Sequence, residues 1–151
     1  MNHPAHARAR ARRFAMQALY QWDLSGTGLH DIRSQFLEAE DFERADKDYF
    51  IELFNHVTKN VESIDKNISE YLDRPIGQLD PVERAILRIA TWELMHLLDV
   101  PYRVAINEAV QLCKKFGAEQ GHTFVNGVLD KLAQQLRASE YKKTGTRVSS
   151  Q

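Results

Sequence analysis

Apolar positions recur along the chain at the helical spacing of three to four and nowhere alternate with period two for long. The first such segment runs from about Arg8 to Leu24, with Phe14, Ala18, Leu19 and Trp22 on one face, and Ser25-Gly26-Thr27-Gly28 ends it. A second covers about Leu29 to Glu38 through Ile32, Phe36 and Leu37, and a third, about Asp46 to Asn60, carries Tyr49, Phe50, Leu53, Phe54 and Val57. A fourth, about Ser63 to Leu72, buries Ile64, Ile68, Tyr71 and Leu72 and stops at Arg74-Pro75. Asp80-Pro81-Val82-Glu83 is a strong helix start: an N-cap acid, proline at the first helical position and a glutamate that suits the dipole. The helix it opens, to about Leu97, is apolar almost all round and belongs at the centre of the fold; its polar residues Glu83, Arg84, Arg88 and Thr91 fall mainly on one strip. Pro101 opens a sixth helix that Gly117 ends, and a seventh runs from about Glu119 to Arg137. The polar, aperiodic stretch from Lys142 to Gln151 reads as a frayed tail. The chain is therefore expected to be all-α, with about seven helices: a basic N-terminal arm over 1–13 that starts the first helix, a helical domain over 14–138 and a flexible polar tail over 139–151.

Composition narrows the class. A chain of 151 residues, 43% hydrophobic and 27% charged, reads as one domain, or as two small helical halves sharing a core. Its single cysteine, Cys113, excludes an internal disulfide framework and any zinc site built on a cysteine pair. No apolar run approaches the ~18 residues of a membrane span, and no signal-peptide run follows the N-terminal arginines, so a cytoplasmic location is expected. Net charge is −1, so nucleic-acid binding requires local asymmetry. That asymmetry is present. Met1 to Arg13 holds Arg8, Arg10, Arg12 and Arg13 with no carboxylate, whereas Asp31 to Glu52 holds eight carboxylates against Arg33, Arg44 and Lys47.

No constellation carries catalysis. The six histidines form neither HxxxH nor HExxH, and there is no phosphate-binding glycine loop or nucleophile elbow. Neither a metal nor a cofactor is expected, and Cys113 lies on the apolar face of its helix as a small hydrophobe. The arm is the better signal. Arg8 and Arg12 are spaced i, i+4, and Arg10 and Arg13 i, i+3, so a helical arm shows arginines on two adjoining faces suited to phosphate. Four such contacts to single-stranded RNA predict a log–log salt slope of roughly −3, at about −0.7 each. A solubilising tail is the competing reading. At the junction of the sixth and seventh helices, Phe116-Gly117 and Gly121-His122-Thr123-Phe124 bring two rings and two glycines together. Glycines admit a ligand to the backbone and rings stack unpaired bases; a packed corner with both rings in the core is the alternative. Tyr20 and Tyr71 pose the same choice.

Three runs carry a resemblance to a known family: Val100-Pro101-Tyr102-Arg103-Val104-Ala105-Ile106-Asn107-Glu108-Ala109-Val110, then Lys115-Phe116-Gly117, then Phe124-Val125-Asn126-Gly127-Val128-Leu129-Asp130-Lys131. With Arg12-Arg13, Ala18-Leu19-Tyr20-Gln21-Trp22 and Glu83-Arg84-Ala85-Ile86-Leu87-Arg88, they resemble the NusB family of bacterial antitermination factors over about Arg8 to Arg137. The resemblance implies two small helical bundles sharing the long central helix, and no catalysis. It implies binding of boxA single-stranded RNA together with NusE, a small-subunit ribosomal protein, and loading onto RNA polymerase with NusA and NusG, mainly on ribosomal-RNA operons. Carried over, Arg8, Arg10, Arg12 and Arg13 neutralise phosphate; Phe116, Gly117, Gln120 and Phe124 form a second RNA-contacting region, with Phe124 stacking a base; Tyr20 and Glu83 face NusE. The polar strip of the central helix is then a docking face. Gln120 departs from relatives that carry an acid there, which implies tighter RNA binding than an acidic version. The same module also forms the RNA-binding domain of a ribosomal-RNA cytosine methyltransferase, whose glycine-rich cofactor region and catalytic cysteine this chain lacks. A helical protein that dimerises through its aromatic face is a third reading, and monomer or homodimer stays open.

Overall fold

The computed structural model describes residues 4–149, with side chains described over 4–143. Eight α-helices follow one another: α1 (Pro4–Ser25), α2 (Leu29–Leu37), α3 (Lys47–Lys59), α4 (Val61–Ser69), α5 (Pro81–His96), α6 (Tyr102–Phe116), α7 (Gly121–Leu136) and α8 (Ala138–Ser149). Single 3-10 turns, Glu40–Arg44 and Ile76–Gln78, interrupt two of the connections. No strand occurs among the described residues.

Local chemistry explains several boundaries. Asp46 caps α3 by accepting the Tyr49 N–H at 3.1 Å, and Asp80 caps α5 by accepting from Val82 and Glu83 at 2.8 and 3.2 Å. Gly26 takes a φ of +71° just past α1, the left-handed turn that ends a helix at little cost to glycine. Helix α1 runs from Pro4, so the described part of the arm is helical; the backbone N–H of Asp46 donates to the Ala7 carbonyl at 3.0 Å and ties it down. The stretch 1–3, which includes His3, lies outside the described residues.

Helix α5 is the axis of the fold. Every residue from Glu83 to Leu94 is buried, and α5 packs against α1, α3, α4, α6 and α7. The N-terminal half is aromatic: Phe14, Phe36, Phe42, Phe50 and Phe54 form a chain of rings with neighbouring centroids 5.1–6.3 Å apart. The C-terminal half is aliphatic, built on Ile106, Val125, Leu129 and Leu132. These are the two bundles sharing a central helix.

The structure differs from expectation in two places. The polar strip of α5 is an internal seam, not a docking face. Glu83, Arg84, Arg88 and Thr91 are all buried. Arg84 donates to Asp23 at 2.7 Å, and Arg88 takes Asp65 with two bonds of 2.8–2.9 Å and Asp23 at 3.3 Å. A buried guanidinium needs such partners, and these clamp the end of α1 and α4 onto α5. The second difference is the tail, which is helical through Ser149. Its first turns are anchored: the Tyr102 N–H donates to Glu140 at 2.9 Å, Tyr141 stacks obliquely on Tyr102, and its hydroxyl donates to Asp130 at 3.0 Å. Just before it, Arg137 donates to the Leu94, Glu93 and Leu97 carbonyls at 2.8–3.0 Å, satisfying the orphan end of α5.

Candidate nucleic-acid interface

The four arginines of α1 are spaced for two faces, and the structure sends those faces to different places. Arg12 turns inward and is 4% exposed. Its guanidinium donates to Glu93 of α5 at 2.8 Å, to Glu108 of α6 at 3.3 Å and to the Tyr49 hydroxyl of α3 at 3.4 Å. The Tyr49 hydroxyl also donates to Glu93. Burial works against the charge on Arg12, but the paired Glu93 outweighs it and holds the guanidinium above its ordinary value. Burial, reinforced by Glu93, likewise pushes the Tyr49 phenol up. The expectation that Arg12 faces phosphate therefore does not match its place: it bolts three helices to α1. Arg8, on the same face one turn earlier, lies over the Tyr49 ring at 4.6 Å and 3.8 Å from Asp99.

Arg10 and Arg13 line a cleft of about 270 Å³ between α1 and α6, with Lys115 and Phe116 opposite. Arg13 lies over the Phe14 ring at 4.7 Å, and its Nε is buried with no hydrogen-bond partner. Phe116 is 40% exposed. It borders a second hollow of about 200 Å³ formed with Met16, Gln17, Tyr20 and Val82, where Tyr20 is also 40% exposed. Arginine, lysine and two open rings thus share one continuous surface along α1. Lys115, with Glu108 and Gln111 in the same cleft, has no site role in the sequence reading above. Their spacing on α6, from Glu108 through Gln111 and Leu112 to Lys115, was the available signal.

The α6–α7 junction supplies a different environment. The Gly117 N–H donates to the Cys113 carbonyl at 2.8 Å, and a Cβ at Gly117 would lie 2.9 Å from that oxygen, so only glycine closes α6 this tightly. Burial pushes the nearby Cys113 thiol up to about 12, as befits a hydrophobe rather than a nucleophile. Gln120 is exposed and holds a left-handed φ of +70° at the start of α7. Phe124 is half-buried, and Arg74 lies 5.1 Å from its ring centroid, so one face already has a cation on it.

Glu83, expected on a partner-facing surface with Tyr20, is 7% exposed. Its carboxylate accepts the Ala118 N–H and sits where a Cβ on Gly121 would fall 2.5 Å from it, at the positive N-terminus of α7. Burial raises its carboxyl above the ordinary 4.5, helped by Asp80 and opposed by that N–H. A raised acid binds its proton more tightly folded than unfolded, so its stabilising contribution is complete below about pH 4.5 and is lost as pH rises through the folded value. Urea melts from pH 4 upward are expected to show a falling component that Glu83→Gln removes; an identical pH profile for the variant contradicts this.

Fold and surface together define a class: a small all-helical protein presenting a basic and aromatic cleft of the kind that suits single-stranded nucleic acid. The NusB family model matches residues 9–134, and the chain belongs to the NusB family. It is 51% identical over 142 residues to the transcription antitermination protein NusB of Alcanivorax borkumensis, covering 93% of this chain and 95% of that one. Against its counterpart from Idiomarina loihiensis it is 50% identical over 131 residues, covering 87% and 94%. Among solved structures, T. maritima NusB superposes with a TM-score of 0.81 at 30% identity, covering 94% of this chain and 99% of that one. A crystal structure of antitermination factors NusB and NusE in complex with double-stranded RNA gives 0.73 at 29% identity, covering 85% and 97%.

Proposed function

We propose that this protein is a transcription antitermination factor that binds boxA RNA together with NusE and joins RNA polymerase with NusA and NusG, mainly on ribosomal-RNA operons in the cytoplasm. The observation that carries the reading is the α1–α6 cleft, where Arg10, Arg13 and Lys115 converge beside the open ring of Phe116. Cations hold phosphate and the ring stacks an unpaired base, which is how proteins grip single strands. Three groove cations predict a salt slope of roughly −2 at about −0.7 each, shallower than four arm arginines would give. Arg12 acts in this scheme as a positioning residue that fixes the helix on which Arg10 and Arg13 ride. Tyr20, beside Val82, faces NusE, and Glu83 supports that surface from beneath by holding the α6–α7 junction. The reading assigns the protein no catalysis.

Co-elution tests it. The protein, NusE and a boxA strand are expected to run as one ternary complex on size exclusion, while a scrambled strand elutes apart; no co-elution with either NusE or boxA contradicts the proposal.

Gln120 gives a second handle. Gln120→Asp places a carboxylate at an exposed position beside the proposed strand, while aspartate and asparagine both tolerate a positive φ better than glutamine. The expected result is boxA affinity about 2- to 5-fold weaker for Gln120→Asp than for Gln120→Asn, from a charge repulsion of about 0.5–1 kcal/mol. Equal affinities remove Gln120 from the interface.

A further inference from the structure

The α1–α6 cleft contains a group that a phosphate site has no use for. Glu108 lines it among Arg10, Arg13 and Lys115, and a carboxylate repels phosphate. Its side chain is 24% exposed, and its one described hydrogen bond, from Arg12 at 3.3 Å, leaves most of its roughly four acceptor positions open. Gln111 follows at i+3 on the same face of α6, exposed, with its amide engaged by none of the described hydrogen bonds. Phe116 supplies an open ring at the same cleft. At about 270 Å³ the cleft lies below the usual range for ligand pockets, which suits one flat heterocycle.

We infer that this cleft reads a single base of the bound RNA and that the base is guanine. The inference rests on the RNA reading above and assigns base specificity within it. Guanine is the base whose Watson–Crick edge sets two donors side by side, N1–H and N2–H, matching the fork of the Glu108 carboxylate. Its O6 accepts from the Gln111 amide, and its ring lies against Phe116. Adenine and cytosine would point an unprotonated ring nitrogen at the carboxylate, and uracil offers one N–H between two carbonyl oxygens. Arg12 keeps Glu108 in place, so the buried cluster that fixes α1 also orients the reading group.

The test uses short uridine-rich single strands that carry one central guanosine, inosine or adenosine, with binding read by fluorescence anisotropy at fixed salt. Wild-type protein is expected to bind the guanosine strand about tenfold tighter than the adenosine strand, with inosine, which lacks the N2 donors, between them. Glu108→Gln is expected to bring the guanosine-to-adenosine ratio close to one, whereas Lys115→Gln weakens all strands alike and keeps the ratio. Thermal melting confirms that Glu108→Gln is folded, and Gln111→Ala, on the exposed side, carries the same test if it is not. Binding without base preference, or a ratio unchanged in the folded variants, overturns this inference alone. Wild-type protein that binds none of the strands overturns the RNA reading with it.

Discussion

Arg12→Ala is expected to lower the stability of the fold by about 3–5 kcal/mol, the cost of removing one partner from a buried ion pair. For a chain of this length that corresponds to a melting temperature lower by about 10 °C, measurable by circular dichroism or urea titration. The cost falls on what stays behind. Glu93 is 1% exposed and its Oε1 already lacks a partner, so loss of the guanidinium leaves a buried carboxylate without a counter-charge, held by the Tyr49 hydroxyl. The pair itself adds little beyond what apolar side chains of similar volume would supply. Replacing Arg12 and Glu93 together with methionine therefore recovers most of the lost stability, and that recovery separates a buried-charge penalty from general disruption of α1. An Arg12→Ala protein that melts with the wild type would show that Arg12 is not the bolt described here.

The second large effect concerns binding. Converting both Arg10 and Arg13 to glutamine is expected to weaken RNA binding at least tenfold near 0.1 M salt, two charge-assisted phosphate contacts each contributing about 1 kcal/mol after screening. The log–log salt slope should flatten by about 1.4, at about 0.7 per contact. Stability should shift by less than about 1 kcal/mol, because neither side chain is fully buried and glutamine keeps most of the aliphatic stem. Arg12→Ala and the double variant thus fail in opposite ways: one loses the fold, the other loses the salt-dependent grip. A double variant with unchanged slope would place the phosphate contacts elsewhere.

How much of this was legible beforehand varies by element. Capping and period carried the helices: Asp80-Pro81 started α5 and Gly117 ended α6 where expected. The all-round apolar character of α5 placed it correctly at the centre. What spacing could not reveal was direction. The i, i+4 pairing of Arg8 with Arg12 and the i, i+3 pairing of Arg10 with Arg13 separate two faces, yet which face turns inward depends on Glu93, 81 residues further on. A signal did exist, since an acid set among the apolar residues of the Trp92–Met95 turn needs a buried cation to meet it. The arginines of the α5 strip mislead for the same reason: Asp23 and Asp65 sit on other helices, so a neutralised internal seam looks like an exposed face. The tail looked frayed because a single aromatic residue, Tyr141, with Glu140 beside it, anchors its start, and one anchor makes no period. The place of Lys115 across from the arm is not legible in the sequence, because only the packing of α6 on α1 supplies it.

Fluorescence anisotropy of labelled boxA RNA against a scrambled strand, with and without NusE, across a salt series, decides whether this surface reads RNA. The expected result is a preference for boxA that sharpens when NusE is added, with a slope of roughly −2 set by Arg10, Arg13 and Lys115. Equal binding of both strands, unchanged by NusE, would contradict it and leave a basic helix with no sequence to read.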